Sequence, residues 1–273
     1  MYFCGRHRFV LDRPLVMGIV NVTPDSFADG GRYLSSAEAI GHGLRLRDEG
    51  ADLLDVGGES TRPGAEPVSV QQELDRVLPV LEGLRDCGAA VSIDTMKPAV
   101  MRAALAVGAD MINDVRAFTA PGALAAVANS DCGLCLMHMR GEPRGMQNAP
   151  SYMDVVAEVK QYLLDRVDAA VAAGVIRERL LIDPGFGFGK TLEHNIALFK
   201  AIAELAQVAP LLAGVSRKSM LGLICGQPVE MRLAASVAAA LLAAARGAAI
   251  LRVHDVRETV DALKIMNALG DPQ

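Results

Sequence analysis

Residues 248–255 read A-A-I-L-R-V-H-D, a short apolar run that leads directly into a helical pattern. The run at 248–253 predicts a buried strand. Asp255 then opens a segment of helical period, and Glu258 follows three residues later, the spacing of a capping box. Arg252 and His254 are two residues apart, so a strand would point both side chains to one face. A guanidinium beside an imidazole at the carboxyl end of a strand predicts a site for an anion.

The same unit, an apolar run followed by a polar turn and then a helical pattern, occurs eight times along the chain. The predicted strands cover 15–21, 52–56, 90–94, 110–113, 133–137, 180–183, 211–215 and 248–253. The predicted helices cover 36–49, 70–86, 98–107, 121–129, 152–173, 192–206, 229–246 and 256–269. Strict alternation of this kind predicts βαβ units and a parallel sheet. Eight units without a break in composition favour an α/β fold with one (β/α)8 TIM barrel domain over 1–273, rather than a doubly wound sheet.

The composition excludes several classes of protein. Hydrophobic residues make up 51% of the 273 residues and charged residues 22%, so the chain can bury a large core. A formal net charge of −5 argues against general binding to nucleic acid or to a membrane surface, although a local basic cluster for a small anion remains compatible with it. The longest apolar run, 233–245, is too short to span a bilayer, and the first residues lack the apolar region of a secretory signal.

The five cysteines are scattered and odd in number, which is typical of a reducing compartment rather than of a disulfide framework. Cys132 and Cys135 form a C-x-x-C, but they fall in a strand-like run where residues three apart face opposite sides. We therefore interpret them as two packed thiols and expect a cytoplasmic protein.

Polar side chains stand at the end of every predicted strand. They are Asn21, Asp55, Asp94, Asn113, His138, Asp183, the trio Ser216, Arg217 and Lys218, and the pair Arg252 and His254. A single Asp or Asn after a strand is as well explained by helix capping as by function. Eight such ends together favour a site, because barrel enzymes place their chemistry at the carboxyl ends of the strands.

Three of the connecting loops have unusual composition. Residues 21–32 are rich in turn formers and carry two acids, and residues 57–67 form a long loop with hydroxyls and an arginine. Both could be exposed turns, but two long loops on one rim favour a substrate lid. Residues 183–190, D-P-G-F-G-F-G-K, do not form a phosphate-binding P-loop because Pro184 stands where that motif needs glycine. Their glycines would let the backbone approach a flat ligand beneath Phe186 or Phe188.

The strand-end groups divide by chemistry. Asp94, Asn113 and Asp183 are acceptors suited to a heterocycle that presents N–H and amino groups. The donors suited to phosphate or carboxylate are Arg62, Lys218, Arg252 and His254. Asn21 and Asp25 supply hard oxygens of the kind that Mg²⁺ binds, whereas His and Cys spacings typical of zinc are missing from the sequence. No Ser-His-Asp set stands in a nucleophile-elbow context.

These motifs together resemble the bacterial dihydropteroate synthases, a family of pterin-binding enzymes. The resemblance is carried, in order, by N-V-T-P-D-S-F-A-D-G-G at 21, D-V-G-G-E-S-T-R-P-G at 55, I-D-T at 93, N-D-V at 113, L-M-H-M at 136, D-P-G-F-G-F-G-K at 183, S-R-K-S-M at 216 and R-V-H-D at 252. It implies a transferase of folate biosynthesis that joins p-aminobenzoate to 6-hydroxymethyl-7,8-dihydropterin diphosphate and releases 7,8-dihydropteroate and diphosphate. It also implies a homodimer, for which the Ala-rich helix 229–246 is a candidate contact.

The resemblance assigns a role to each matching position. Asn21 would bind Mg²⁺ with Asp25 near it, and the diphosphate would be held by Thr61, Arg62, Arg252 and His254. The pterin would be bound by Asp94, Asn113, Asp183 and Lys218, and Phe186 is added to the substrate-binding residues because the glycines of its loop would let a flat ligand approach. The aminobenzoate pocket, where sulfonamides compete, would be formed by Phe27, Arg62, Pro63 and Ser219. The catalytic groups of a Mg²⁺-assisted C–O ionisation would be Asp94, Lys218, Arg252 and His254. Residues 231–236 depart from the family pattern, with Ala235 in place of glycine, on a helix that we expect to lie away from the rim.

Two other functions are compatible with part of the pattern. A folate-dependent methyltransferase resembles this barrel and its pterin-binding acids, but it would not need the S-R-K-S-M loop or the loop with Arg62. A catalytically silent paralogue that only binds pterin would have lost loop residues, and both loops are intact in this sequence.

Overall fold

The computed structural model describes residues 1–22, 32–60, 66–141, 146 and 150–270, with the backbone alone for 32–35. An antiparallel hairpin, β1 (Tyr2–Cys4) and β2 (His7–Phe9), comes first. Eight parallel strands follow: β3 (Leu15–Asn21), β4 (Leu53–Gly57), β5 (Ala90–Asp94), β6 (Met111–Asp114), β7 (Gly133–Met137), β8 (Leu180–Asp183), β9 (Leu212–Ala213) and β10 (Ile250–Val253). They are ordered β8-β7-β6-β5-β4-β3-β10-β9.

The sheet closes between its first and last strands. Ile182 and Leu211 form a parallel bridge, and the Ile182 N–H donates to the carbonyl of Pro210 at 3.0 Å. The strands thus form the (β/α)8 barrel that the alternation predicts. Closure through consecutive neighbours brings every strand's carboxyl end to the same rim.

Helices cover the outside of the barrel. They are α1 (Arg32–Asp48), α2 (Val70–Leu84), α3 (Pro98–Ala106), α4 (Ala123–Val127), α5 (Val155–Ala172), α6 (Leu192–Lys200), α7 (Ile202–Leu205), α8 (Ser219–Cys225), α9 (Leu233–Ala244) and α10 (Val256–Leu269). Local sequence sets several starts: Ser69 and Gln72 form a capping box on α2, and Asp154 caps α5. Among the described helices, none combines the length and the apolar character needed to cross a bilayer.

Five features differ from the sequence expectation. The hairpin β1–β2 was not predicted, and α8 is an additional helix within the unit that follows β9. The predicted helix 192–206 is divided at Ala201 into α6 and α7, and the predicted helix 229–246 begins only at Leu233, after a short 3₁₀ turn. The capping box at Asp255 is wrong: Asp255 precedes α10 but does not cap it, because its carboxylate accepts from the Arg217 guanidinium at 2.5 and 3.2 Å.

The interior of the barrel has an apolar lower layer. Alternate residues of each strand point inward, and Leu53, Met111, Leu181 and Ile250 pack there with Tyr2 of the hairpin. The intervening residues, such as Leu54, Ile112 and Leu251, pack outward against the helices. Gly133 is required beneath the hairpin, since a Cβ there would overlap the Tyr2 hydroxyl. The hairpin therefore plugs the amino-terminal end of the barrel, and Cys132 and Cys135 lie in the outer and inner clusters as predicted.

Candidate active site

One step higher along the strands, the inward residues become polar. Asp55 on β4, Asn113 on β6, Asp183 on β8 and Arg252 on β10 each stand two residues beyond an apolar residue of the lower layer. Asp94, the last residue of β5, lies in register with Gly57 on one side and with Asn113 on the other. The barrel thus places a layer of charged and amide groups directly above its apolar core. We call these inward side chains, with Ser92, the polar layer.

Arg252 lies at the centre of the polar layer. Its Nε donates to Asp55 Oδ2 at 2.6 Å and its Nη2 to Asp94 Oδ2 at 3.1 Å. Asp55 is fully buried and accepts two further hydrogen bonds, from Ser92 Oγ at 2.6 Å and from Asn113 Nδ2 at 3.0 Å. A buried carboxylate needs such partners, because removal from water disfavours its charge. Asp55 therefore fixes the guanidinium and orients the Asn113 amide.

Asp94 is the second carboxylate that Arg252 contacts. Burial raises the pKa of Asp94 to about 7, and the neighbouring Asp55 carboxylate contributes in the same direction, while Arg252 opposes both. The same two carboxylates raise the pKa of Arg252 against the effect of its burial. The site therefore holds a permanent cation next to a carboxyl group that ionises near neutral pH.

Asp183 lies on the opposite side of the polar layer from Asp55, next to Lys218, which precedes α8 and is not part of that layer. Asp183 Oδ1 accepts from the Gly185 N–H at 2.7 Å, and burial raises the pKa of Asp183 while Lys218 opposes this shift. Lys218 donates to the carbonyl of Phe186, and its Nζ lies 4.8 Å from the centre of the Phe188 ring. Burial lowers the pKa of Lys218 to about 8, although Asp183 counteracts it.

Gly214 shows how closely these groups converge. A Cβ added at this position would lie 3.8 Å from Asp183 Oδ2, 3.9 Å from Lys218 Nζ and 3.9 Å from Arg252 Cβ. Both Asp94 and Asp183 interact electrostatically with Arg252. The groups predicted from separate strand ends therefore meet in one site, as the sequence analysis requires.

The loop after β9 carries Ser216 and Arg217, and Ser216 contacts His254 at the end of β10. His254 Nδ1 lies 3.0 Å from Ser216 Oγ, which fixes the imidazole ring at the rim. Arg217 has a left-handed backbone (φ 57°), a strained conformation for a residue other than glycine. Three contacts stabilise it: the Asp255 ion pair, the Arg217 N–H to Ser236 Oγ at 2.9 Å, and Arg232 Nη1 to the Arg217 carbonyl at 3.0 Å.

Residues 231–236 accordingly do not lie away from the rim, contrary to the sequence expectation. Arg232 and Ser236 support the backbone of the loop that carries Lys218 and Ser219, so the departure from the family pattern lies beside this loop. Ser219 is exposed at the first position of α8, next to Lys218.

Phe186 does not face the site with its ring. The side chain is fully buried in the outer core and packs against Phe199 at 5.9 Å between ring centres. Only its carbonyl reaches the polar layer, through Lys218. The expectation of a flat ligand beneath Phe186 is therefore wrong for this ring, because the turn that follows β8 directs it against Phe199 of α6. Phe188 is the aromatic residue beside Lys218.

Several predicted residues fall outside the described part of the chain. These are Asp25, Phe27, Thr61, Arg62 and Pro63, from the two long loops. Asn21 is described: it ends β3 on the inward face, and its Oδ1 lies 3.9 Å from the position of a Cβ on Gly57. Within the described ranges, no three His, Cys, Asp or Glu side chains form a metal-binding group.

Two buried charged residues have no role in the sequence prediction, although the structure places both at the site or directly behind it. Asp55 was noted at a strand end but received no role, although its even spacing from Leu53 and Gly57 indicated an inward side chain. Lys190 was read only as part of a failed phosphate motif, yet it is a buried lysine behind the 183–190 loop.

The comparisons with known proteins agree with this geometry. Residues 17–254 match the family model described as pterin binding enzyme. The dihydropteroate synthase of Escherichia coli (strain K12) is 50% identical over 260 residues, which cover 94% of this chain and 92% of that protein.

Three solved structures superpose closely. Xanthomonas albilineans dihydropteroate synthase with 4-aminobenzoic acid has a TM-score of 0.91 and 55% identity, and the match covers 97% of this chain and 96% of the other. The same enzyme in complex with 7,8-dihydropteroate gives 0.87 and 52%, covering 97% of both chains. The Yersinia pestis enzyme in a sulfonamide drug complex gives 0.92 and 48%, covering 98% of both. The chain therefore belongs to the pterin binding enzyme family, among the dihydropteroate synthases, which are transferases of folate synthesis.

Proposed function

We propose that the chain joins p-aminobenzoate to 6-hydroxymethyl-7,8-dihydropterin diphosphate, giving 7,8-dihydropteroate and diphosphate. The observation that carries the proposal is the polar layer: acceptors from β5, β6 and β8 face one interior space beside Lys218 and Arg252. The relatives bound to aminobenzoate and to dihydropteroate support the same pair of substrates.

The pterin edge meets the acceptors. The Nδ2 group of Asn113 donates a hydrogen bond to Asp55, so the side-chain carbonyl oxygen of Asn113 can accept from the pterin ring. Asp183 and Asp94 accept from the amino and ring N–H groups, and each hydrogen bond between a carboxylate and the ring contributes about 1.5–3 kcal/mol. Lys218 donates on the same side, held by the Phe186 carbonyl and by the Phe188 ring.

The diphosphate lies at the rim near Arg252 and His254. Two nitrogens of Arg252 are committed to Asp55 and Asp94, and in the described part of the chain its Nη1 makes no hydrogen bond, so Nη1 can bind a phosphate oxygen. Ser216 holds the His254 ring through Nδ1, which fixes the imidazole beside the end of β10. Thr61 and Arg62 would add to this clamp from the loop that follows β4.

A magnesium ion fits the donor set at this rim. Asn21 offers a hard amide oxygen on the inward end of β3, Asp25 follows four residues later in the sequence, and Mg²⁺ takes the rest of its ligands from water and phosphate. When bound by Asn21 and Asp25, Mg²⁺ would neutralise charge on the departing diphosphate. Arg252 and His254 would also neutralise charge on the diphosphate.

The aryl amine enters above the pterin, beside Lys218 and Ser219 at the start of α8. Phe27, Arg62 and Pro63 would complete this pocket, and sulfonamides, which resemble p-aminobenzoate, would compete there. The Yersinia pestis sulfonamide complex supports this part of the proposal.

In the reaction, the bond between the pterin methylene carbon and the diphosphate oxygen breaks, and both electrons leave with the oxygen. Arg252 and His254 stabilise the leaving group, because they are positioned for its charge before the bond breaks. The dihydropterin ring spreads the developing cation, and the Asp94 carboxylate stabilises it. The aminobenzoate nitrogen then forms the C–N bond and loses a proton to solvent.

The test is an assay of diphosphate release in the presence of Mg²⁺. We expect release that strictly requires both the pterin diphosphate and p-aminobenzoate, with 7,8-dihydropteroate formed in equal amount. Pterin binding without release would identify a silent paralogue. Methyl transfer to or from a folate in place of release would identify a methyltransferase. Either result would overturn the proposal.

We also propose a homodimer in the cytoplasm. Apolar side chains are exposed on α8, α9 and the turn between them: Leu223 (67%), Ile224 (56%), Met231 (66%) and Leu242 (51%). A surface of this kind favours association with a second copy. Light scattering should give twice the chain mass, and Leu242→Glu should give the monomer. A wild-type monomer would contradict the dimer.

The cytoplasmic location is supported by the cysteines, because all five are free thiols, as a reducing compartment allows.

A further inference from the structure

Lys190 is a buried lysine that no step of the proposed reaction uses. Its side chain is 3% exposed, and its Nζ lies against four acceptors: the carbonyls of Gly185 and Phe188 at 2.9 Å each, the carbonyl of His138 at 3.3 Å, and His138 Nδ1 at 3.0 Å. Carbonyl oxygens only accept hydrogen bonds, and an ammonium has three donors and no acceptor. The carbonyl oxygens and the imidazole nitrogen around Nζ therefore favour the charged ammonium form of Lys190, although all of these groups are neutral.

His138 supports the same protonation state. Burial, with the Lys190 charge as a smaller cause, lowers the pKa of His138 to about 3, so the imidazole is neutral. A neutral ring with Nδ1 facing an ammonium carries its proton on Nε2. Burial lowers the pKa of Lys190 to about 7, even though the nearby Asp183 carboxylate favours the charged form. The assignment of the ammonium therefore rests on the four acceptors around Nζ.

The contacts of Lys190 hold the loop that carries Asp183. Gly185, Gly187 and Gly189 all have positive φ values (68°, 81° and 64°), which glycine adopts readily but which leave the free loop with many conformations. Lys190 binds the carbonyls of Gly185 and Phe188, and Lys218 binds the carbonyl of Phe186. Two lysines thus hold three carbonyls of one glycine-rich segment.

The loop is also pressed against the end of β7. A Cβ at Gly185 would overlap the His138 carbonyl oxygen, and the His138 N–H donates to the Asp183 carbonyl at 2.9 Å. Gly185 in turn donates its N–H to Asp183 Oδ1 at 2.7 Å. A shift of the Gly185 peptide would therefore rotate or release the Asp183 carboxylate.

We propose that Lys190 is a positioning residue for pterin recognition: from behind the 183–190 loop its charge fixes the Gly185 peptide and keeps Asp183 ionised. The proposal rests on the proposed function, because the ligand that Asp183 reads is the pterin ring. Lys190 does not touch the substrate and acts only through Asp183 and the loop. Its Nζ binds His138, Gly185 and Phe188, none of which is assigned to the p-aminobenzoate pocket, so we expect its effect to be selective for the pterin substrate.

The test measures binding of 6-hydroxymethylpterin by calorimetry, and the KM for p-aminobenzoate at saturating pterin diphosphate. Lys190→Met retains the length of the side chain and removes its charge. We expect pterin binding to weaken by about 10- to 100-fold, the range for a charged hydrogen bond, with the aminobenzoate KM changed less than about twofold. The matched control is Lys264→Met, an exposed lysine paired with Asp261 on α10, which should leave both values unchanged.

A double-mutant cycle with Asp183→Asn separates positioning from general damage. If Lys190 acts through the Asp183 charge, Lys190→Met should weaken binding little further once Asp183 is neutral. Equal losses in both backgrounds, or equal losses for both substrates, would reduce Lys190 to a structural residue.

A second variant covers the case in which Lys190→Met fails to fold. Lys190→Gln keeps two donors without charge and should show the same selective loss, and unchanged pterin affinity in this variant would overturn the proposal. Wild-type protein that neither binds pterin nor releases diphosphate would instead refute the proposed function.

Discussion

The two layers inside the barrel come from the same strands and the same faces, yet the lower layer packs the core and the upper layer is available to a ligand. Met111, Leu181 and Ile250 form the lower layer, and Asn113, Asp183 and Arg252 follow two residues later on the same strands. That distance is about 6.6 Å along a strand. One pleat therefore separates the groups that pack the barrel from the groups that read a ligand. Substitutions in the lower layer should lower stability alone, whereas substitutions in the upper layer should lower binding or turnover, with a loss of stability where a buried charge loses its partner.

The largest effect should follow from Arg252→Met in the upper layer. It leaves Asp55, which is fully buried, and Asp94 without their cation, so the free energy of unfolding should fall by about 3–5 kcal/mol. Turnover should fall by about 10²–10³-fold as the leaving-group clamp is lost. Because Asp55 also orients Asn113, we expect pterin affinity to fall as well. Chemical denaturation and steady-state kinetics measure these effects, with exposed Arg257→Met as the control; near-normal turnover would rule out the clamp.

The next effect should follow from Met111→Ala in the lower layer. The side chain is fully buried, and its Sδ lies 3.4 Å from the Tyr2 hydroxyl. The cavity should cost about 2–5 kcal/mol of unfolding free energy. The folded fraction should keep its kcat, because the polar layer rests on backbone positions that a cavity below does not move. A large loss of kcat at full folding would show that the two layers are coupled.

The pH dependence should identify Asp94. Its pKa is raised to about 7 by burial, and only the carboxylate stabilises the developing cation, so kcat/KM for the pterin diphosphate should fall as the pH drops through about 7. In Asp94→Asn the residual activity should lose this acid limb. A limb that persists unchanged in the variant would assign the titration to another group.

The smallest effect should come from Asp255. Its ion pair with Arg217 is partly exposed, so Asp255→Asn should cost less than about 1 kcal/mol of unfolding free energy while raising the KM for p-aminobenzoate through the Arg217 loop. Asp255→Ala should behave in the same way. Were Asp255 a helix cap, Asn would restore stability fully and Ala would not.

The sequence predicted most of the barrel because strands buried on both faces give continuous apolar runs that local pattern reveals. It missed the hairpin of Tyr2–Cys4 and His7–Phe9, because strands of three residues carry too little periodicity. It mistook Asp255 for a cap because the competing partner, Arg217, is 38 residues away in the chain. Such pairings depend on the closed barrel and cannot be read from neighbouring residues.

The strand-end residues of the site could be predicted from the sequence, whereas the contacts made by the surrounding loops and helices could not. Asp94, Asn113, Asp183, Lys218 and Arg252 meet as the strand ends imply, since closure of a parallel barrel leaves no other place for them. The sequence could not show that Phe186 turns outward or that residues 231–236 hold the 216–219 loop. Both depend on how helices pack on the sheet, which residue pattern alone does not specify.

Two variants one pleat apart on β8 test the central claim most directly. Binding of 6-hydroxymethylpterin should be measured by calorimetry for Asp183→Asn and for Leu181→Ala, with unfolding followed in parallel. We predict that Asp183→Asn binds about 10- to 100-fold more weakly with little loss of stability, and that Leu181→Ala loses about 2–5 kcal/mol of stability with unchanged affinity. Unchanged affinity in Asp183→Asn, or a loss of affinity in folded Leu181→Ala, would contradict the division of the barrel into a structural and a recognition layer.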